Sequence, residues 1–185
     1  MSIEPIGWNV VLAGRWNKAI FTPDWIAKSL FELAPGGAVQ VEVALDEFLP
    51  HRVTLEGLTV VVLKGQFIVE PRKARFETLD GARRIAVRAL QKLPETPVGA
   101  AGYNVRYRVD SLPSETLSLL KPLLDKSLSD AGYVIGGKAL RREVKFGDGT
   151  LNLSITTPTE GPAEIEFNFH RTSLKTDELQ HWLSV

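Results

Sequence analysis

The chain has no cysteine and one methionine in 185 residues. Without thiols it can hold no disulfide framework, no cysteine-ligated zinc, no iron–sulfur cluster and no thiol nucleophile. It lacks a charge excess as well, with 22 Lys plus Arg against 22 Asp plus Glu. That balance removes the global basic surplus of a typical nucleic-acid binder. No apolar run approaches the roughly 18–20 residues of a membrane-spanning helix, so no membrane partner is expected. The opening Met1-Ser-Ile-Glu-Pro-Ile6 has no basic-then-apolar signal pattern, and the last residues carry no lipidation motif. The expected location is therefore cytoplasmic. What remains is 44% hydrophobic and 24% charged, the composition of a packed globular chain rather than a disordered or collagen-like one.

The hydrophobic pattern then gives the elements. Trp8, Val10 and Leu12 alternate with Asn9, Val11 and Ala13, the period of a strand. Thr22-Pro23-Asp24 supplies an N-cap, a first-turn proline and an early acid, and Ile26, Leu30 and Leu33 follow at helical spacing up to Pro35-Gly36-Gly37. Val39, Val41, Val43 and Leu45 read as a strand, with Gln40, Glu42 and Asp46 on its wet side. Three more β-prone runs, at 52–56, 58–64 and 66–71, are separated by Gly57 and Gly65. Thr78 caps a helix over 79–93, with Ala82, Ile85, Ala86 and Ala89 as its inner stripe.

Pro94-Glu-Thr-Pro97 interrupts the chain, and the order restarts. Gly102-Tyr-Asn-Val-Arg-Tyr-Arg-Val109 aligns with Gly7-Trp-Asn-Val-Val-Leu-Ala-Gly14 at an offset of 95. Leu112-Pro113-Ser114 opens a second helix with Leu117, Leu120 and Leu124, as Thr22-Pro23-Asp24 opened the first. Strands follow at 138–146, 150–157 and 163–170, the first two joined through Gly147-Asp148-Gly149. Gly132 reads as a helix C′ residue. A final amphipathic helix carries Leu179, Trp182 and Leu183. The expectation is an internal duplication, 1–96 and 97–185, forming one compact unit rather than two domains.

A duplicated β-α-β-β-β-β-α unit of this size resembles the fold of the TATA-binding protein. The resemblance implies an α+β architecture in which two β-α-β(3-4)-α pseudo-repeats build one curved antiparallel sheet, with helices packed on one face. It lies in element order across nearly the whole chain. No paired phenylalanines occupy wedge positions, so no DNA-contacting residue carries over.

Motifs of chemistry are sparse. Gly132-Tyr-Val-Ile-Gly-Gly137-Lys138-Ala139 has phosphate-loop spacing, but Ala139 stands where a magnesium-binding hydroxyl belongs, and a helix precedes where a strand should. His51, His170 and His181 have no second histidine or carboxylate at ligand spacing. Glu164 and Glu166 share one strand face as solvated neighbours. No catalytic residue, cofactor or metal is therefore assigned, and the chain reads as a non-enzyme.

Charge is more informative locally than in total. Residues 72–92 hold seven basic side chains and two acids, and Arg84, Arg88 and Lys92 fall on one helical stripe. Arg106, Arg108, Arg141 and Lys145 lie on the wet faces of strands, a basic patch if those strands are neighbours. The aligned positions of the first half, Val11 and Ala13, are apolar. Such a surface is usually covered. The expected function is a non-catalytic binding or scaffold protein acting through its sheet face, as a homodimer or with a protein partner. The alternatives are a nucleic-acid-binding module using the concave face and a small-ligand carrier.

Overall fold

A computed structural model describes residues 5–34, 37–42, 50, 52–121 and 123–184. The expected helix stop at Pro35-Gly36, the strand residues Val43 and Leu45, Asp46 and His51 lie outside the described residues.

Nine strands form one open antiparallel sheet: β1 (Gly7–Gly14), β2 (Gln40–Glu42), β3 (Arg52–Leu55), β4 (Leu58–Val62), β5 (Gln66–Pro71), β6 (Val98–Val109), β7 (Gly137–Phe146), β8 (Gly149–Pro158) and β9 (Ala163–Thr172). Their spatial order is β2-β3-β4-β5-β1-β6-β9-β8-β7. The fold is α+β, as expected. Hairpin chemistry sets much of the order. Glu56 and Gly57 both have positive φ, 52° and 77°, which a two-residue turn between Leu55 and Leu58 requires. Gly147 and Asp148 turn β7 into β8 in the same number of residues.

Each strand alternates between two faces. One face carries Trp8, Val10, Leu12, Val53, Val60, Val62, Phe67, Val69, Ala101 and Val105, all buried beneath helices. Those helices are α1 (Pro23–Trp25, running on as a π turn Ile26–Leu30), α2 (Leu79–Lys92) and α5 (Thr176–Ser184). The opposite face carries no helix among the described residues; we call it the open face.

The helix expected over 23–33 is shorter. The Phe31 amide donates to the Ile26 carbonyl, a π-type bond. That wider turn seats Ile26, Ala27 and Leu30 together in the core before Glu32 turns out at φ 56°. The second expected helix breaks into α3 (Ser114–Leu119) and α4 (Leu123–Asp130). Of its stripe only Leu120 is buried, in a small separate cluster with Leu112, Ile155 and Ala163, while Leu117 and Leu124 are exposed. Gly132 does close α4, at φ 86° with the Tyr133 amide on the Leu128 carbonyl.

At the sheet centre β1 and β6 run antiparallel with Trp8 opposite Val105, Asn9 opposite Asn104 and Val10 opposite Tyr103. Trp8 and Tyr103 therefore share a face. Trp8 is buried, and its indole donates to the Arg75 carbonyl at 3.0 Å. Outward from this pair the order is β5, β4, β3, β2 on one side and β9, β8, β7 on the other.

Candidate functional site: an aromatic trough and a polar sheet face

The two sides of the sheet centre differ in what covers them. On the β1–β5 side the segment after β1 folds back as an aromatic lid. Trp16 packs on Phe67 at 5.3 Å between ring centroids and on Phe21 at 5.7 Å, and Phe21 meets Trp25 edge-on at 5.1 Å. The Trp16 indole donates to the Leu12 carbonyl at 3.2 Å, which satisfies its only donor. On the β6–β9 side the first part of the segment after β6, Asp110 to Lys121, has no aromatic residue and packs at the far end of the sheet through Leu112 and Leu120. The strand face it leaves is an open trough of about 460 Å³.

Phe76, Leu79, Tyr103, Val105, Tyr107, Phe167 and Phe169 line this trough, with Arg83 at its rim. Tyr107 meets Phe167 edge-on at 6.0 Å, and Phe167 stacks along Phe169 at 6.3 Å. Phe76 is 46% exposed on the near wall, and beyond the trough Phe146 on β7 is 50% exposed. Above the end of the floor, α5 is tied down by two donors. The Leu183 carbonyl accepts from Tyr103 Oη at 2.8 Å and from Arg83 Nε at 2.5 Å. Burial pushes the Tyr103 phenol up to about 12, against a smaller downward pull from Arg83. Glu178 on α5 takes hydrogen bonds from Lys175, Arg171 and Ser173, which hold its carboxyl down at about 2. The chain does carry a sequence signal for this site, the alternation of Ile165, Phe167 and Phe169 with Glu164, Glu166 and Asn168. Strand periodicity announces the apolar face but not that its lid is missing.

The open face presents different chemistry. Asn9, Asn104, Asn168 and Asn152 lie in one row across four adjacent strands. Asn152 Nδ2 donates to Asn168 Oδ1 at 3.1 Å, Asn168 Nδ2 to Asn104 Oδ1 at 2.6 Å, and Asn104 Nδ2 to Asn9 Oδ1 at 2.7 Å. His170 Nδ1 lies 2.9 Å from Asn168 Oδ1. An amide oxygen can only accept, so the imidazole Nδ1–H is the donor here. Only the register brings these five residues together.

The structure gathers Arg106, Arg108, Arg141 and Lys145 on this open face: Arg106, Glu166, Ser154 and Arg141 form one row. Acids are interleaved with them. Arg108 Nη2 pairs with Glu164 at 2.8 Å, Arg106 faces Glu166, and Arg141 is two residues from Glu143 on the same face. The patch is mixed in sign rather than uniformly basic. Val11 and Ala13 lie half-buried on the same face. The α2 stripe divides. Arg88 donates to the Leu30 carbonyl at 2.7 Å and pairs with Glu32 at 2.6 Å, closing α1 onto α2. Arg84 and Lys92 are exposed.

Among the described residues no cluster of three His, Asp or Glu converges as metal ligands, and no helix is long and apolar enough to cross a membrane. The chain matches no protein-family model and no curated relative. The site therefore has to be read from its own geometry.

Proposed function

We propose that the protein is a non-catalytic binding module that takes an amphipathic, aromatic-bearing helical segment of a protein partner into the trough above β6 and β9. The observation that carries this reading is the asymmetry of the two covered faces. Trp16, Phe21 and Trp25 close the sheet beside β1, while the matching surface beside β6 keeps four aromatic rings and no lid among the described residues. A contiguous uncovered apolar surface of this kind marks an interaction site, and aromatic residues are the usual anchors of such interfaces. The helical form of the occupant is inferred from the first half, where a short helix and a π turn carry Trp25, Ile26, Ala27 and Leu30 into the cover, while Trp16 and Phe21 come from the segment before them.

The inference rests on treating 1–96 and 97–185 as two versions of one unit. Supporting this are the matched positions Asn9 and Asn104, which pair with each other at the sheet centre, and the same outward strand order on both sides. A small-molecule carrier is the second reading, favoured by a volume within the roughly 300–1,000 Å³ of ligand pockets. Nucleic-acid binding through the open face has less support, since its cations are interleaved with Glu143, Glu164 and Glu166.

The test is selection from a displayed library of helical peptides, followed by fluorescence anisotropy with the selected peptide. Binders carrying aromatic anchors, weakened about tenfold or more by Phe76→Ala, are expected. Phe76 is exposed enough for that change to leave the fold intact. Failure to select any binder sensitive to Phe76→Ala, or a co-purifying small molecule seen by native mass spectrometry in the trough, overturns the reading.

A further inference from the structure

The far edge of the sheet carries a second surface, independent of the trough. β7 is the last strand in the order, and all ten of its residues pair with β8 in uninterrupted register from Gly137 opposite Pro158 to Phe146 opposite Gly149. Among the described residues no strand pairs with its other edge. Edge strands are normally blunted by shortness, proline, a bulge or charge. β7 has no proline or bulge and is long, so charge alone, from Lys138, Arg141, Arg142, Glu143 and Lys145, guards it against indiscriminate pairing. The opposite edge of the sheet ends on β2, which covers β3. On the β7 side the chain from Ala131 to Gly136 runs in without forming a strand.

The turn fixes which backbone groups are free. A two-residue hairpin makes its flanking residues, Phe146 and Gly149, a hydrogen-bonded pair. Counting back by twos, the even residues of β7 then bond to β8, and the N–H and C=O groups of Ala139, Arg141, Glu143 and Lys145 point outward. The side chains of these four lie on the open face. Leu140, Arg142, Val144 and Phe146 lie on the helix-bearing face, with Val144 and Phe146 both exposed. The strand holds Lys138, Arg141, Arg142 and Lys145 against Glu143 alone. Lys138 is paired with Asp125. Among the described residues Arg141, Arg142 and Lys145 have no ion-pair partner.

From this geometry we infer that the outer edge of β7 is a strand-addition site for an extended acidic segment of a protein partner. Backbone hydrogen bonds would supply affinity and the alternate side chains specificity. The added strand places acids opposite Arg141 and Lys145 on the open face. It places apolar residues beside Val144 and Phe146 on the other. Charge argues against a second copy as the occupant. A second copy leaves cations unmatched in each register. Centring on Val144 sets Glu143 against Lys145 but gives Arg141 and Arg142 no acid. Centring on Arg142 sets Arg141 against Glu143 but that arginine against its own copy, and centring on Glu143 sets Arg141 against Lys145. Like charges directly opposite one another destabilise a sheet.

The experiment uses the intact protein and a ten-residue peptide with glutamates at the positions opposite Arg141 and Lys145 and valine or threonine between. A lysine version and a backbone N-methylated version serve as controls. Anisotropy should show the glutamate peptide binding about tenfold or more tighter than the lysine peptide. Hydrogen exchange should slow at the amides of residues 139, 141, 143 and 145. The exposed double variant Arg141→Glu with Lys145→Glu should reverse the preference without changing the melting temperature. Equal binding of acidic and basic peptides, undiminished binding of the N-methylated peptide, no binding at all, or concentration-dependent protection of those amides by the protein alone would each overturn the inference. None of these outcomes bears on the trough.

Discussion

The Leu183 carbonyl is held by two donors from different elements, and its loss can be dissected by a double-mutant cycle. Tyr103→Phe removes the phenolic donor at 2.8 Å, and Arg83→Met removes the guanidinium donor at 2.5 Å while keeping an apolar stem. A hydrogen bond of this kind is worth a net ~0.5–1.5 kcal/mol, and a buried group left without any partner costs ~1–3 kcal/mol. Either single change leaves the carbonyl one partner and should cost about 1 kcal/mol. The double change orphans it and should cost about 3–4 kcal/mol, with a coupling energy near 1 kcal/mol or more. Urea unfolding followed by tryptophan fluorescence measures all four corners. Additivity within about 0.3 kcal/mol would refute the shared-acceptor argument. The same pair predicts an alkaline transition. The Tyr103 pKa is raised above its ordinary 10 to about 12, so the protonated phenol stabilises the fold fully below pH 10. That contribution is lost as the pH rises towards about 12. Tyr103→Phe should remove this part of the pH dependence.

Trp8→Ala should cost about 3–5 kcal/mol, because it opens a cavity under α2 and removes the indole bond to the Arg75 carbonyl, which keeps the Thr78 amide and hydroxyl as donors; calorimetry would contradict this with a loss below about 1 kcal/mol. Gly149→Ala should destabilise strongly, since a Cβ there would stand 2.5 Å from the His170 carbonyl and 2.7 Å from the Trp182 ring; an unchanged melting temperature would show that the ring moves freely. The Glu178 pKa is lowered to about 2, so its ion pairs contribute above the ordinary carboxylate value near 4.5 and fade as pH falls towards 2. Wild type and Glu178→Gln should therefore differ in stability at pH 6 and converge near pH 2, and a difference that persists in acid would be inconsistent with this. At physiological salt, gel-shift titration should detect no tight DNA or RNA binding. A dissociation constant below about a micromolar would restore the open face as a nucleic-acid interface.

Elements whose sequence signal is local were legible. The hairpin at Gly147, the C′ glycine at Gly132 and α2 all depend on residues within one or two turns of each other, although Thr78 does not cap α2 as expected: its hydroxyl donates to the Arg75 carbonyl instead. So did the facing of Trp8, because period-2 alternation and one apolar face leave a single choice. What stayed hidden depends on distance in space. The Leu117–Leu120–Leu124 stripe has the spacing of a core helix, yet Leu117 and Leu124 are exposed because no facing surface meets them. Arg88 belongs to a basic stripe in one dimension, but Glu32 and the Leu30 carbonyl claim it. The asparagine row and the trough are products of strand order, which pairs β6 with β9 across more than fifty intervening residues.

The bond between Asn9 and Asn104 joins residues 95 positions apart, and this separation governs how the molecule can be assembled during synthesis. Until residues 98–109 are made, β1 can pair with β5 but its other flank has no neighbour. Residues 98–109 supply the missing neighbour, and the delay leaves an adhesive strand flank in the nascent chain. Closing so long a loop costs only ~0.6 kcal/mol more for each doubling of its length, so the wait is a matter of time rather than equilibrium. Once β6 docks, Val98, Ala101 and Val105 join the same core as α2 and α5. A core shared in this way should make the two halves melt together, and a break anywhere along that central seam should be felt as the loss of the whole.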